Sequence, residues 1–257
     1  MFDRLKPAVY NLLHTVLGIK MTSSWVPQVL PTYSEPIVPY SQRIAALKKA
    51  EGITFLKNWR VTRARAYKSR APSRHEYISA TVVDSENKIS YIAIERHRGD
   101  PIPIRPSVVD SDIDPGVFSS STSSISSISS VSDSLLTRVA DDRITLIPST
   151  IGMWDKNDEL VYELIFEKFF FLYELTVLAV VVHDQNTSYF LMTNNCYHYA
   201  GTIVKVLEQE YDIVNTADGT GAGKWCGLPI YPGKKDGGSS LLEKFREGIK
   251  NFVSFLY

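Results

Sequence analysis

The stretch His75-Glu76-Tyr77-Ile78-Ser79-Ala80-Thr81-Val82-Val83, followed after Asp84-Ser85-Glu86-Asn87-Lys88 by Ile89-Ser90-Tyr91-Ile92-Ala93-Ile94-Glu95-Arg96-His97, decides the fold. Both arms are rich in β-branched and aromatic residues, and the link between them is made of turn formers. A turn centred on Glu86 sets Tyr77 opposite Glu95, Ser79 opposite Ala93 and Thr81 opposite Tyr91 on one face, with His75 opposite His97 at the open end. On the other face Ile78 meets Ile94, Ala80 meets Ile92, and Glu76 faces Arg96 as a favourable charge pair. A one-residue slip would turn the apolar set to the wrong side, so the alternation itself specifies the register.

Two histidines at one end of a hairpin have three readings. They are a base and the group that orients it, a pair of metal ligands, or exposed strand-end side chains. A metal needs a further ligand, and in the hairpin only Glu95 offers one.

Downstream, Ser188 to Met192 reads as a short strand, Asn194 and Asn195 are turn and N-cap residues, and a helix runs from Cys196 to about Tyr211. Its apolar stripe is Ala200, Ile203, Val204 and Leu207. Cys196 thus falls in the first helical turn, where backbone N–H groups and the helix dipole favour a thiolate and can steady an oxyanion. The plain alternative is a small core residue. His198 points to another face from Cys196 and is a poor base, His183 reads as a helix C-cap or surface residue, and Cys226 lies in a glycine loop without this context.

Asn195-Cys196-Tyr197-His198-Tyr199 resembles the Asn-Cys-Glu-His-Phe motif of lecithin retinol acyltransferase-like proteins. His75-Glu76-Tyr77-Ile78 resembles that family's first histidine strand, and His97 stands where its second histidine closes the hairpin. The order His, His, Cys is that of circularly permuted papain-fold cysteine enzymes, the NlpC type among them. The chain also resembles uncharacterised fungal proteins with a histidine strand and an Asn-Cys-Tyr helix. The likeness covers about residues 70 to 100 and 140 to 212; Tyr197 stands in place of the family's Glu, and a Ser-rich insertion interrupts it. It implies a thiol-dependent hydrolase or acyltransferase that forms a cysteine thioester with an amide or ester substrate. Cys196 would be the nucleophile, His75 the general base and then acid, and His97 its orienter, with Glu95 in reserve. No cofactor and no metal is expected.

Working outward, the composition sets bounds. Lys plus Arg and Asp plus Glu are each 28 in 257 residues, so the net charge is zero and a strongly basic nucleic-acid binder is excluded at whole-chain level. Hydrophobic residues make up 44%, enough for a sizeable core. Two cysteines cannot build a disulfide scaffold, which points to a reducing compartment. The apolar run Phe169 to Val182 is short and broken by Glu174, and Met1 to Lys20 carries no secretory core, so a cytoplasmic location without a signal peptide or membrane span is expected.

The organisation expected is a helical extension over 1–56, a permuted papain-like domain over 57–212, and a Gly-rich loop with an amphipathic helix over 213–257. Within the central domain, 104–136 is expected to be disordered, being nearly all Ser and Thr between prolines. Strands are expected at about 61–67, 76–83, 89–96, 143–148, 161–166 and 188–192, with a core helix over 169–183. Ser41 caps a short helix through Lys48, and Ser240 with Glu243 forms a capping box for a final helix bearing Leu242, Phe245, Ile249, Phe252, Val253 and Leu256. Gly219 to Lys224 only imitates a phosphate loop, because Trp225 stands where Ser or Thr must ligate magnesium.

The fold class read here is therefore α+β, an antiparallel sheet packed on a cysteine-bearing helix. The basic run 57–74 reads as a solvated linker or edge strand; its rival role, shared with the final helix, is peripheral contact with an anionic membrane. The alternative for the whole chain is a papain-like interaction domain without catalysis, binding a protein or such a membrane. A weaker one is a metal site from His75, His97 and Cys196.

Overall fold

A computed structural model describes residues 28–70, 75–101, 137–148, 152–190, 195–217, 224–225, 228–229 and 237–254. The chain divides into two compact units, Met1–Leu30 and Pro31–Tyr257. The helix expected within Met1 to Lys20, the Ser-rich insertion 104–136, the glycine run 219–223 and Cys226 lie outside the described residues.

The second unit is α+β. In chain order its strands are β1 (Ser34–Pro36), β2 (Arg60–Lys68), β3 (Glu76–Val83), β4 (Ile89–Pro101), β5 (Thr137–Ile147), β6 (Glu159–Phe171), β7 (Ser188–Phe190) and β8 (Ile213–Ala217). A separate two-stranded pair joins β9 (Lys224–Trp225) to β10 (Leu228–Pro229). Helices are α1 (Ile37–Glu51), α2 (Ile53–Leu56), α3 (Leu172–Gln185), α4 (Cys196–Glu210) and α5 (Gly237–Ser254).

The large sheet is antiparallel throughout, in the order β1-β5-β4-β3-β2-β6-β8, with β7 paired to β5 outside that path. The β3–β4 register sets Tyr77 against Glu95, Ile78 against Ile94, Ser79 against Ala93, Ala80 against Ile92 and Thr81 against Tyr91, as the alternation predicts. The turn is held locally. Asp84 Oδ1 accepts from the Glu86 and Lys88 N–H groups at 2.9 Å each, and Asn87 takes φ 62°, a left-handed conformation that asparagine tolerates.

One sheet face carries Ile78, Ala80, Val82, Ile92 and Ile94, all fully buried, with α4 against β3 and β4. The expected stripe of α4 is buried at Ala200, Ile203, Val204 and Leu207. The other face has a smaller core of Tyr67, Tyr77, Ala93 and Ile147, with Tyr91 and Met153 packed on it. The segment 152–158 is tied there by Ser79 Oγ donating to Gly152 O at 2.6 Å and Tyr77 OH donating to Asp158 Oδ2 at 2.7 Å.

Several boundaries and roles differ from the sequence reading. Where the basic run forms β2 it is neither linker nor edge, since β2 lies between β3 and β6. Three of its charges are met in place: Arg65 Nε is 2.6 Å from Glu163 Oε1, Arg63 reaches the same oxygen at 3.3 Å, and Arg60 lies over the Phe169 ring. Phe169 to Phe171 finish β6, because Phe170 pairs with Val61, so α3 starts only at Leu172; Phe170, Leu172, Leu175, Leu178, Ala179 and Val182, the core side of the expected helix, are all buried. Helix α1 begins at Ile37, directly after Pro36, so Ser41 is inside it. Helix α5 begins at Gly237, so Ser240 is not its cap, and its buried residues are Leu241 and Phe245, while Val253 is exposed. The end of α5 is fastened by the buried Lys48 ammonium, which donates to the Phe252 and Val253 carbonyls. Among the described residues, no helix is long and apolar enough to cross a membrane.

Candidate active site

The site is assembled at the end of the sheet where β3 begins. His75 precedes β3 by one residue, and its carbonyl accepts from the Ser69 N–H at 2.7 Å, tying it to the end of β2. Glu95 and His97 lie two apart on β4 and therefore share a face. The hairpin register then lays the His75 and His97 rings on one another, with centroids 4.9 Å apart and planes at 17°.

Glu95 holds both rings. Its Oε2 is 3.0 Å from His75 Nε2 and 3.2 Å from His97 Nε2, and the residue is buried. Burial pushes the Glu95 carboxyl up, but hydrogen bonds from His75 and His97 and their charges outweigh it and hold it down to about 2. An ionised carboxylate only accepts, so each imidazole donates to it. Glu95, the reserve orienter in the sequence reading, is the residue bonded to His75; His97 is bonded to Glu95 and is the most exposed of the three.

Cys196 is the first residue of α4 and is 5% exposed. Burial pulls the His75 imidazole down, yet its interactions with Cys196 and Glu95 raise it to about 9. His75 is therefore an imidazolium at neutral pH, with its Nε2 on Glu95.

Asn195 caps α4 as the sequence suggests. Its Oδ1 accepts from the Tyr197 N–H at 3.1 Å and the His198 N–H at 3.2 Å. Those two helix-start amides are therefore engaged by the cap. Tyr189 sits on β7, paired with Arg138 of β5, and is 8% exposed; burial first, then its interaction with Cys196, push its phenol up to about 12.

The remaining histidines are elsewhere. His198 is half-buried, and burial followed by the Arg96 charge pushes it down to about 4, so it is neutral and apart from the acid–base pair. His183 is no surface cap. Its Nδ1 is 2.8 Å from Asp142 Oδ2, in a network where Arg96 makes two 2.7 Å bonds to Asp142 and lies over the Tyr199 ring. Arg96 thus takes a carboxylate on β5, and Glu76 lies 3.9 Å from Lys68.

Among the described residues, His75, Glu95 and His97 are the set whose ligand atoms come within 4.8 Å of one another. His75 Nε2 and His97 Nε2 converge on Glu95 Oε2, at 3.0 and 3.2 Å, so the trio is also a set that could hold a metal ion. What the arrangement offers as it stands is a thiol, an imidazolium and a carboxylate in sequence. Comparison of the chain with family models, with curated proteins and with solved structures finds no match, so the geometry alone carries the functional argument.

Proposed function

We propose that the protein is a thiol-dependent hydrolase or acyltransferase that forms a cysteine thioester from an ester or amide substrate. The observation that carries this reading is His75, held through Nε2 at 3.0 Å by Glu95 and raised in pKa by Cys196 as well as by that carboxylate. A buried nucleophile beside a protonated base, which is itself oriented by a carboxylate, is the arrangement acyl transfer requires.

In the proposed reaction the Cys196 thiolate attacks the carbonyl carbon, and the carbonyl π electrons move to oxygen. As the tetrahedral adduct collapses, the bond to the leaving oxygen or nitrogen breaks, and His75 gives that atom its proton. Neutral His75 then takes a proton from water or a second nucleophile, which attacks the thioester and restores the thiolate and imidazolium. Glu95 stabilises the imidazolium, and His97 keeps Glu95 in place. The antiparallel sheet, the cysteine at the start of a helix packed on β3 and β4, and the chain order His, His, Cys support a permuted papain-like fold as the frame for this chemistry.

The test is acylation by an activated ester such as p-nitrophenyl acetate, read by intact mass and by peptide mapping. The reading expects one acetyl group on Cys196 and none in Cys196→Ala, with His75→Ala slowed by about 10²-fold or more, the usual contribution of a general acid–base. Equal labelling of wild type and Cys196→Ala would discard it.

A further inference from the structure

We propose that His75, Glu95 and His97 form a binding site for a single divalent transition-metal ion, with Zn²⁺ the best fit. Two imidazoles and a carboxylate are donors that such an ion takes, and three protein ligands with a fourth position left to water make an open zinc site. The ligand atoms are already gathered. Glu95 Oε2 is 3.0 Å from His75 Nε2 and 3.2 Å from His97 Nε2, and the three atoms all lie within 4.8 Å of one another. An ion bonded at about 2.0–2.1 Å sets tetrahedral ligands roughly 3.3 Å apart, so two edges of the polyhedron stand near their final length.

The fold builds this arrangement. Glu95 and His97 are two apart on β4 and share a face, and the stacked rings, with centroids 4.9 Å apart, keep His75 beside His97. Strand β4 is itself fixed between β3 and β5. Arg143, the cation paired across from Glu95 on β5, does not compete for the carboxylate: its Nε donates to Ser34 Oγ at 2.6 Å, and its Nη1 lies 3.1 Å from Asp141 Oδ2. Access is from the His97 side, because that side chain is 41% exposed while Glu95 is 9% exposed. An ion can therefore reach a buried carboxylate and still keep a water. Among the described residues the cluster ends with these three, so Glu95 takes the place that the sequence reading gave to Cys196.

On loading, the two Nε2–H bonds break and their protons pass to solvent. The freed nitrogen lone pairs and the Glu95 carboxylate oxygen then form three bonds to the ion. The site stands on these distances; its consequence rests on the acyl-transfer reading above. With Nε2 committed to the metal, the His75 ring cannot hold a second proton. It no longer supplies an imidazolium, and the loaded protein is inactive until the metal is withdrawn.

The test uses the full chain, stripped with EDTA and titrated with ZnCl₂ against a chromophoric chelator, with CoCl₂ as the spectroscopic substitute. Wild type should bind one zinc ion. His97→Ala should weaken it by about 100-fold, a loss that even a ligand's outer partner can cause, and His183→Ala should leave it unchanged. Cobalt should give a visible d–d band and no thiolate-to-metal charge-transfer band. Circular dichroism of the metal-free variants reports that they are folded. Absence of binding by wild type, undiminished binding by folded His97→Ala, or a thiolate band would overturn the site. Acetylation of Cys196 by p-nitrophenyl acetate, followed on the same samples, should stop with zinc and return with EDTA. Zinc bound at these ligands with acetylation at full rate would overturn the blocking role alone, and a protein never acetylated with or without zinc would overturn the acyl-transfer reading while leaving the site.

Discussion

One carboxylate oxygen of Glu95 sits 3.0 Å from Nε2 of His75, and the two residues hold each other charged against their own burial. His75 is raised to about 9 and Glu95 lowered to about 2, opposite to what burial alone would do to each. This pair is the part of the site from which most consequences can be read.

Replacing Glu95 with Gln keeps the shape and removes the charge. The His75 imidazole then falls from about 9 toward its ordinary 6.5, and the supply of imidazolium at pH 8 falls with it. Acyl transfer by Glu95→Gln should be about tenfold slower than wild type at pH 8, with the gap closing below pH 6. A pH–rate profile measures this, and profiles that run parallel over the whole range would contradict it.

His97 touches Glu95 rather than the sulfur, and its side chain is 41% exposed against 21% for His75. His97→Ala should therefore retain acylation within about tenfold of wild type, while His75→Ala loses about 10²-fold or more. The order of the two effects is the expected outcome; a larger loss at position 97 would reassign the base.

The same pair links stability to pH, with opposite signs for its two members. His75 has a folded value raised above the ordinary 6.5, so its contribution is full below pH 6.5 and is lost as pH rises through about 9. Glu95 has a folded value lowered from 4.5, so its contribution is present above pH 4.5 and is lost as pH falls through about 2. Urea unfolding at pH 5.5, 7.5 and 9.5 should show wild type losing stability over the upper window, and His75→Gln should flatten that loss.

The Arg96–Asp142 pair is wholly buried, with both side chains at 0% exposure. Asp142→Ala leaves the guanidinium in the core with its principal carboxylate gone, and should cost about 3–5 kcal/mol in urea unfolding. Changing both, as Arg96→Met with Asp142→Leu, should recover most of that loss, because two desolvated charges are removed together.

Tyr77 tethers the 152–158 segment, donating to Asp158 Oδ2 at 2.7 Å and accepting from the Trp154 N–H at 3.1 Å. Tyr77→Phe should cost about 1–3 kcal/mol by stranding those two groups. Faster hydrogen exchange at the Trp154 amide is the local readout, with the β3–β4 amides unchanged.

Much of the site's frame is legible in the chain because it is local. The period-two alternation on either side of Asp84 to Lys88 sets the hairpin register, which carries His75 to His97. Asn195 before an apolar stripe at helical spacing marks where α4 starts, and so puts Cys196 at a helix start. Boundaries are less legible. Phe169 to Phe171 read as helix by apolarity but finish β6, since the backbone hydrogen bonds offered by Val61 lie more than a hundred residues away in sequence.

By itself, then, the sequence determined the alternating hairpin, the capped cysteine helix and the α+β class, all written in contacts a few residues apart. Only the tertiary structure decided which groups those elements hold together. Glu95, rather than His97, is the residue bonded to His75; Arg96 takes Asp142 on β5; and β2 runs inside the sheet. These depend on where a side chain ends after distant strands have paired, and on which charges the buried interior forces into partnership. No local periodicity encodes that, because it is the desolvation of the whole assembly that selects the partners.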